Sequence, residues 1–250
     1  MRSPSESWFP LGGASEAGRL SLFCFHHAGG GASAFAGWRR LMPREIDVLP
    51  VQLPGREERI AETACRSMQA LTAELLEAMT PCLHRPLALF GHSFGAAVAF
   101  ELTRQLRRKP SHLFVSSWVP MHASPGAVRS AQLTDFDFTA RIVRYGGLPE
   151  AVANDREMMS VLIEPMRADF EVLETYRPEP PVCLACPMTL LGGEDDPVVR
   201  PELLERWASH LHAPKPALFP GGHFYLRASL PKLVDLVVST LRPVLHATSH

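Results

Sequence analysis

Six short runs of almost uninterrupted apolar residues constrain this chain more than any other feature. They are Leu20–Phe25, Val48–Leu53, Leu87–Phe90, His112–Trp118, Met188–Gly192 and Pro216–Phe219. A strand that is apolar at nearly every position, rather than every second one, has both faces covered. That is the mark of a parallel sheet, whose crossover connections lay helices over both faces. The segments between the runs fit. Met68–Met79 places Leu71, Leu75 and Met79 at helical spacing, and Ala96–Leu106 reads as a helix stopped by Lys109-Pro110. Phe35–Met42 reads as a short helix, and Glu202–Leu211 and Leu230–Leu245 as longer ones, the last amphipathic. The predicted fold class is therefore α/β, a mostly parallel central sheet flanked by helices.

The alternation lapses from about Pro120 to Pro181. The pattern there is helical, with breaks at Gly146-Gly147 and Pro178–Pro181. A helical insertion late in a parallel sheet has the placing of a lid, so the 250 residues are expected to form one domain with a lid subdomain at about 120–181. Residues 1–19, rich in Ser, Gly and Glu, read as a loose leader. The balance of 25 basic against 26 acidic side chains argues against a dedicated nucleic-acid binder. No apolar run approaches the ~20 residues needed to span a bilayer, and the N-terminus has no signal-peptide core. A cytoplasmic monomer with no membrane partner is expected. Cys183 and Cys186 match a C-x-x-C spacing but have no second pair, and read as small apolar loop residues.

The chemistry is concentrated in Gly91-His92-Ser93-Phe94-Gly95, a G-x-S-x-G sequence. It is entered from an apolar run and left by a helix, the strand–turn–helix setting of a nucleophile elbow. The alternative reading is a helix N-cap serine after a glycine turn. A serine hydroxyl needs a base to remove its proton. The best-placed histidine is His223 in Pro220-Gly-Gly-His-Phe-Tyr225, which follows a predicted strand and so lies at the same sheet edge as Ser93. A carboxylate should follow the run at Met188–Leu191. Asp196 in Gly192-Gly-Glu-Asp-Asp196 is the choice, 27 residues before His223, with Asp195 as its rival. Two backbone donors are needed for the oxyanion: the amide of Phe94, next after the nucleophile, and that of Ala28 in the glycine-rich loop after the first strand. Gly29–Gly31 lacks the partners of a phosphate cradle, and His26 and His27 lack those of a metal site, so no cofactor and no metal is expected.

Taken together, Phe25-His-His-Ala-Gly-Gly30, Leu53-Pro-Gly-Arg-Glu57, the serine elbow, Gly192–Asp196 and Gly221-Gly-His-Phe-Tyr225 resemble the type II thioesterases, α/β-hydrolases that work beside polyketide synthases and nonribosomal peptide synthetases. The resemblance covers roughly residues 20–240. It implies hydrolysis of stalled or wrong acyl groups held as thioesters on the phosphopantetheine arm of an acyl or peptidyl carrier protein, with Ser93, His223 and Asp196 as the triad. Phe94 departs from the family, which often carries Met or Leu there, and its ring is expected to narrow the acyl entrance. Arg56-Glu57 reads as a salt-bridged turn. Met121, Met158, Met159, Leu162, Ile163 and Met166 are expected to line an acyl chamber or form the core of the lid. Arg39, Arg40 and Arg44 are candidates for docking an acidic carrier, whereas Arg107-Arg108-Lys109 should end a helix at the opposite edge. Three other readings are a small-molecule carboxylesterase or lipase with the same triad, an excised terminal thioesterase domain that releases or cyclises a product, and a catalytically silent hydrolase fold that only binds.

Overall fold

In the computed structural model, which describes residues 7–12, 15, 17–120, 129–178, 184–211 and 213–247, the apolar runs become one sheet. Its strands are β1 (Leu20–Phe25), β2 (Ile46–Pro50), β3 (Leu87–His92), β4 (His112–Ser116), β5 (Met188–Gly193) and β6 (Ala217–Phe219). Their order is β2-β1-β3-β4-β5-β6, and every pairing is parallel. The helices are α1 (Trp38–Leu41), α2 (Met68–Met79), α3 (Phe94–Gln105), α4 (Asp135–Arg144), α5 (Glu150–Ala153), α6 (Arg156–Thr175), α7 (Pro201–Leu211) and α8 (Leu230–Ala247).

The double covering of the sheet explains the continuous apolar runs. In β1, Phe23 and Phe25 face a core built with α2, α3 and α7, while Leu20, Leu22 and Cys24 face a second core built with α1 and α8. β3 divides likewise, Leu87 and Leu89 to the first core and Ala88 and Phe90 to the second. Strand order reverses direction at β1. From there the chain builds outward to β2 and then returns to place β3 on the other side. The crevice beyond the carboxyl ends of β1 and β3 is thus the topological switch point, where open α/β sheets place their ligands.

Two expectations are corrected. The second strand is Ile46–Pro50 rather than Val48–Leu53. Asp47 hides its start from a hydrophobic reading. At its far end the Gln52 N–H donates to Trp8 O (2.8 Å) instead of joining the ladder. The same bond shows that the leader is not loose where it is described. Trp8 and Phe9 are buried, Phe9 edge-on to Phe23 at 5.4 Å and Trp8 beneath the guanidinium of Arg59, 4.1 Å from the ring centroid. Polar neighbours masked two aromatic anchors that strap the N-terminus to the first core.

Between β4 and β5 the described chain forms α4, α5 and α6, with a small core of its own around Phe138, Ile142, Leu148, Met159 and Met166. α4 and α6 begin at side-chain caps, Thr134 accepting from the Asp137 N–H and Asp155 from those of Glu157 and Met158. Cys183 lies outside the described residues, and Cys186 is a half-buried free thiol.

Trp8→Ala is expected to cost about 3 kcal/mol, typical of emptying a buried indole site. For a chain of this size that lowers the thermal midpoint by roughly 6–12 °C. An unchanged midpoint in a calorimetric scan would show that the strap is no part of the core.

Candidate active site

Ser93 joins β3 to α3 with φ 55° and ψ −117°, a conformation that L-residues rarely adopt. The flanking glycines permit it. A Cβ on Gly91 would lie 2.2 Å from Gly95 O, and one on Gly95 2.2 Å from Phe25 O and 2.5 Å from His26 O. The first turn of α3 therefore rests directly on the exit of β1. The Ser93 N–H donates to Ser116 O at the end of β4 (2.8 Å), which anchors the strained residue.

Ser93 Oγ lies 2.9 Å from His223 Nε2, and His223 Nδ1 lies 2.8 Å from Asp196 Oδ2. A carboxylate only accepts, so Nδ1 carries the ring proton and Nε2 is left to accept from the serine hydroxyl. Asp196 Oδ1 takes the amides of Val198 (2.8 Å) and Val199 (3.0 Å). Burial pushes the Asp196 carboxyl up. The hydrogen bond and charge of His223, with the two amides, outweigh this and hold it below the ordinary carboxylate value. The histidine loop is seated on the same turn, since the Asp195 N–H donates to Gly221 O (3.0 Å) and the Glu194 N–H to Phe219 O (2.9 Å). Asp195 and Glu194 themselves face solvent. The rival carboxylate is thus turned away, and Asp196 is the one brought to His223.

The proposed oxyanion donors follow neighbouring strands, Ala28 after β1 and Phe94 after β3 at the opening of α3. Among the described residues neither amide has a hydrogen-bond acceptor, whereas those of Gly29, Gly30 and Ala32 are engaged by Asp169, His27 O and Gln52. The Phe94 ring is buried in the first core and does not narrow the entrance. Its position at the start of α3 turns the side chain onto the sheet face rather than outward.

Two more histidines, His92 and His27, pack beside the relay, and His26 is buried next to His27 in the chain. His92 is 5.2 Å from His223 between ring centroids, and its Nδ1 lies 2.8 Å from Ser116 Oγ, itself 2.7 Å from Tyr225 OH. Burial lowers His92 and His26 well below the ordinary value of 6.5. His27 falls to about 3, through burial and then the charges of Arg227, His223 and Arg56. The neighbours of the relay are thus neutral rings. Among the described residues no three His, Cys, Asp or Glu side chains gather as a metal site would need.

Ser93 and His223 open into an apolar cavity of about 210 Å³ walled by Trp118, Tyr145, Phe170 and Tyr176. Of the two places expected for the methionine-rich segment, acyl chamber or core of the insertion, the described residues take the second. Met159, Met166, Leu162 and Ile163 belong to the insertion's own core, Met158 is exposed, and Met121 is outside the described residues. α6 presents to the site the turns around Phe170 and Leu173. The arginine expectation is also corrected. Arg39 and Arg44 gather with Ile46–Val48 at the amino end of β2, the edge opposite Ser93, because the chain has already crossed the sheet before β2 begins. Lys109 Nζ donates to the carbonyls of Thr103 and Arg104, capping α3 at that far edge as expected. Sequence reasoning missed Asp169, Tyr225, Phe170 and Tyr176. Only Tyr225 was flagged by position, two residues after His223.

The family model for the thioesterase domain matches residues 21–242. The gramicidin S biosynthesis protein GrsT of Aneurinibacillus migulanus is 38% identical over 251 residues, covering 97% of each chain. The thioesterase PikA5 of Streptomyces venezuelae is 35% identical over 213 residues, 83% of this chain and 75% of that one. The type II thioesterase BorB from the borrelidin biosynthetic cluster superposes with a TM-score of 0.80 at 34% identity, covering 91% of this chain and 94% of that one. No helix among the described residues is long and apolar enough to cross a membrane.

The buried histidines fix an acid response. The unfolded chain protonates His26 and His92 near 6.5 and the folded one does not. Below that pH the unfolded state therefore binds more protons, and stability is lost. Each histidine weakens folding about tenfold per pH unit. The thermal midpoint is expected to fall from pH 6.5 to pH 5, with His27 and His112 contributing in the same direction, and His92→Gln to flatten the slope by about a quarter. An unaltered slope would show that His92 is protonated in the fold.

Proposed function

This chain belongs to the thioesterase family, and we propose that it is an editing enzyme, one that hydrolyses stalled or aberrant acyl groups from the phosphopantetheine arm of an acyl or peptidyl carrier protein. The observation that carries this reading is the continuous Ser93–His223–Asp196 relay opening directly into an apolar cavity.

Each step follows from an atom already described. Ser93 Oγ attacks the thioester carbonyl as His223 Nε2 takes its proton. Asp196 stabilises the resulting imidazolium and keeps its ring oriented. The carbonyl oxygen becomes an oxyanion and is met by the free amides of Ala28 and Phe94, the latter at the positive end of α3. As the intermediate collapses, the C–S bond breaks and the carrier thiol leaves with the proton from His223. Water then enters, His223 removes its proton, and the second intermediate collapses to the free acid and Ser93. The low Asp196 carboxyl stays ionised through this cycle, so the imidazolium always has a partner.

In this reading residues 120–181 act as a lid. α6 supplies Phe170 and Leu173 as the roof over the acyl group, and Trp118 and Tyr176 form the wall toward the sheet. The family's discrete members include relatives named for gramicidin S and borrelidin biosynthesis. That supports a carrier protein of a peptide or polyketide assembly line as the partner.

Intact-mass analysis of an acyl-loaded carrier tests the proposal. Wild type is expected to remove the acyl mass, and Ser93→Ala to slow this by at least about 10⁴-fold. Asp196→Asn, which leaves the relay without its charge, is expected to lose about as much. A carrier left loaded across short, long and branched acyl groups, alongside rapid turnover of simple oxygen esters, would replace this reading with a carboxylesterase. Phe170→Ala is expected to shift preference toward bulkier acyl groups, seen as a change in relative kcat/KM.

A further inference from the structure

We propose that Asp169, on the insertion helix α6, is a positioning residue for the oxyanion loop: it holds the Gly29 peptide, and through it aims the Ala28 amide at the reacting carbonyl. The inference rests on the reading of Ala28 as an oxyanion donor.

Asp169 is buried, and it reaches 140 residues back along the chain to accept the Gly29 N–H through Oδ2 (2.8 Å). That bond removes Gly29 from the pool of free donors, while the Ala28 amide has no acceptor among the described residues. It also fixes the peptide plane on the carboxyl side of Ala28. The plane on the amino side is fixed separately. His27 O accepts the Gly30 N–H (3.0 Å) and lies 2.8 Å from His26 Nδ1. In a trans peptide the N–H points away from the carbonyl of the same unit. A clamp on His27 O therefore aims the Ala28 N–H, and the clamp on Gly29 keeps the following unit from rotating it away.

α6 meets the loop with two residues on one face. Gly29 has φ +74°, and a Cβ there would lie 2.0 Å from Met166 Cγ, three residues before Asp169. Glycine is required so that the methionine can lie on the peptide while the aspartate bonds to it. Behind Asp169, Arg56 holds both carboxylate oxygens, through Nη1 to Oδ2 and Nη2 to Oδ1 (3.0 Å), and its Nε donates to Pro54 O (3.2 Å). Gln52 braces the assembly by accepting the Ala32 N–H (3.0 Å) and donating to Arg56 O (3.1 Å). A buried ion pair is a poor source of net stability compared with apolar residues of the same volume. What this pair supplies, and apolar residues do not, is an acceptor fixed in direction at Gly29. Its seat on α6 ties formation of the oxyanion hole to the docking of the insertion.

The test uses a 4-nitrophenyl ester and a trifluoromethyl ketone, whose hemiketal oxyanion needs the same amides. Ketone affinity is read as protection of Ser93 from a fluorophosphonate probe. Asp169→Ala is expected to lower kcat about 10- to 100-fold, less than the roughly 100- to 1000-fold of losing an oxyanion donor outright, because the Ala28 amide is misaimed rather than removed. KM should stay within twofold, and the ketone should weaken by the same factor as kcat. Asp169→Asn, whose amide oxygen still accepts from Gly29, should recover most of the loss. If Asp169→Ala does not fold, the paired Arg56→Met/Asp169→Leu variant removes both charges at similar volume and carries the same expectation. A folded variant with wild-type kcat and ketone affinity overturns the proposal, as does a fall in kcat with ketone affinity unchanged. A wild type that cleaves the nitrophenyl ester but leaves acyl carriers intact defeats the editing reading alone.

Discussion

At the centre of the sheet, backbone meets backbone with no side chain between. Gly95 at the start of α3 lies on the carbonyls that end β1, and Gly91 lies under the first turn of the same helix. A methyl group at either position would lift the helix by an ångström or more. The serine's left-handed backbone, the exposed helix amide beside it and the glycine loop of β1 are all consequences of that contact. Because β1 and β3 are neighbours across the reversal of strand order, the contact falls where the two loops can converge on one carbonyl.

Around this contact the protein holds two buried carboxylates in contrasting settings. Asp196 faces a histidine and two backbone amides, and its partners outweigh burial. Asp169 faces a guanidinium, yet burial is the largest influence on it and pushes its carboxyl up against the pull of Arg56. Asp196 has a reaction partner whose charge comes and goes. Asp169 has a permanent one, as suits a part that stays in place. His27 and His92, held neutral beside the relay, bring no positive charge of their own next to His223.

Much of this was legible in the sequence because it is local. The strands announced themselves by apolar runs, the elbow by two glycines and a serine, and Asp196 and His223 by their places after strands. The failures are of two kinds. Trp8 and Phe9 were hidden by polar neighbours, since burial of two side chains leaves no periodicity to read. Arg56 and Asp169 are 113 residues apart, and nothing in either segment names the other. The cavity walls were left open between two readings for the same reason. A run of methionines is visible in sequence, but which face of α6 meets the sheet is decided by how Met166 and Asp169 seat on Gly29.

The insertion carries its own small core, and the sheet carries two others. Residues around Phe138, Ile142 and Met159 can therefore drift together, changing the size and outline of the cap without disturbing the strands beneath. What such drift must preserve is the face of α6 that meets the rest of the fold, Met166 and Asp169 on the glycine loop and Val172 in the first core. A lineage can thus change the outline of the insertion while keeping the loop beneath it, and an engineer exchanging insertions between relatives has that face of α6 to match.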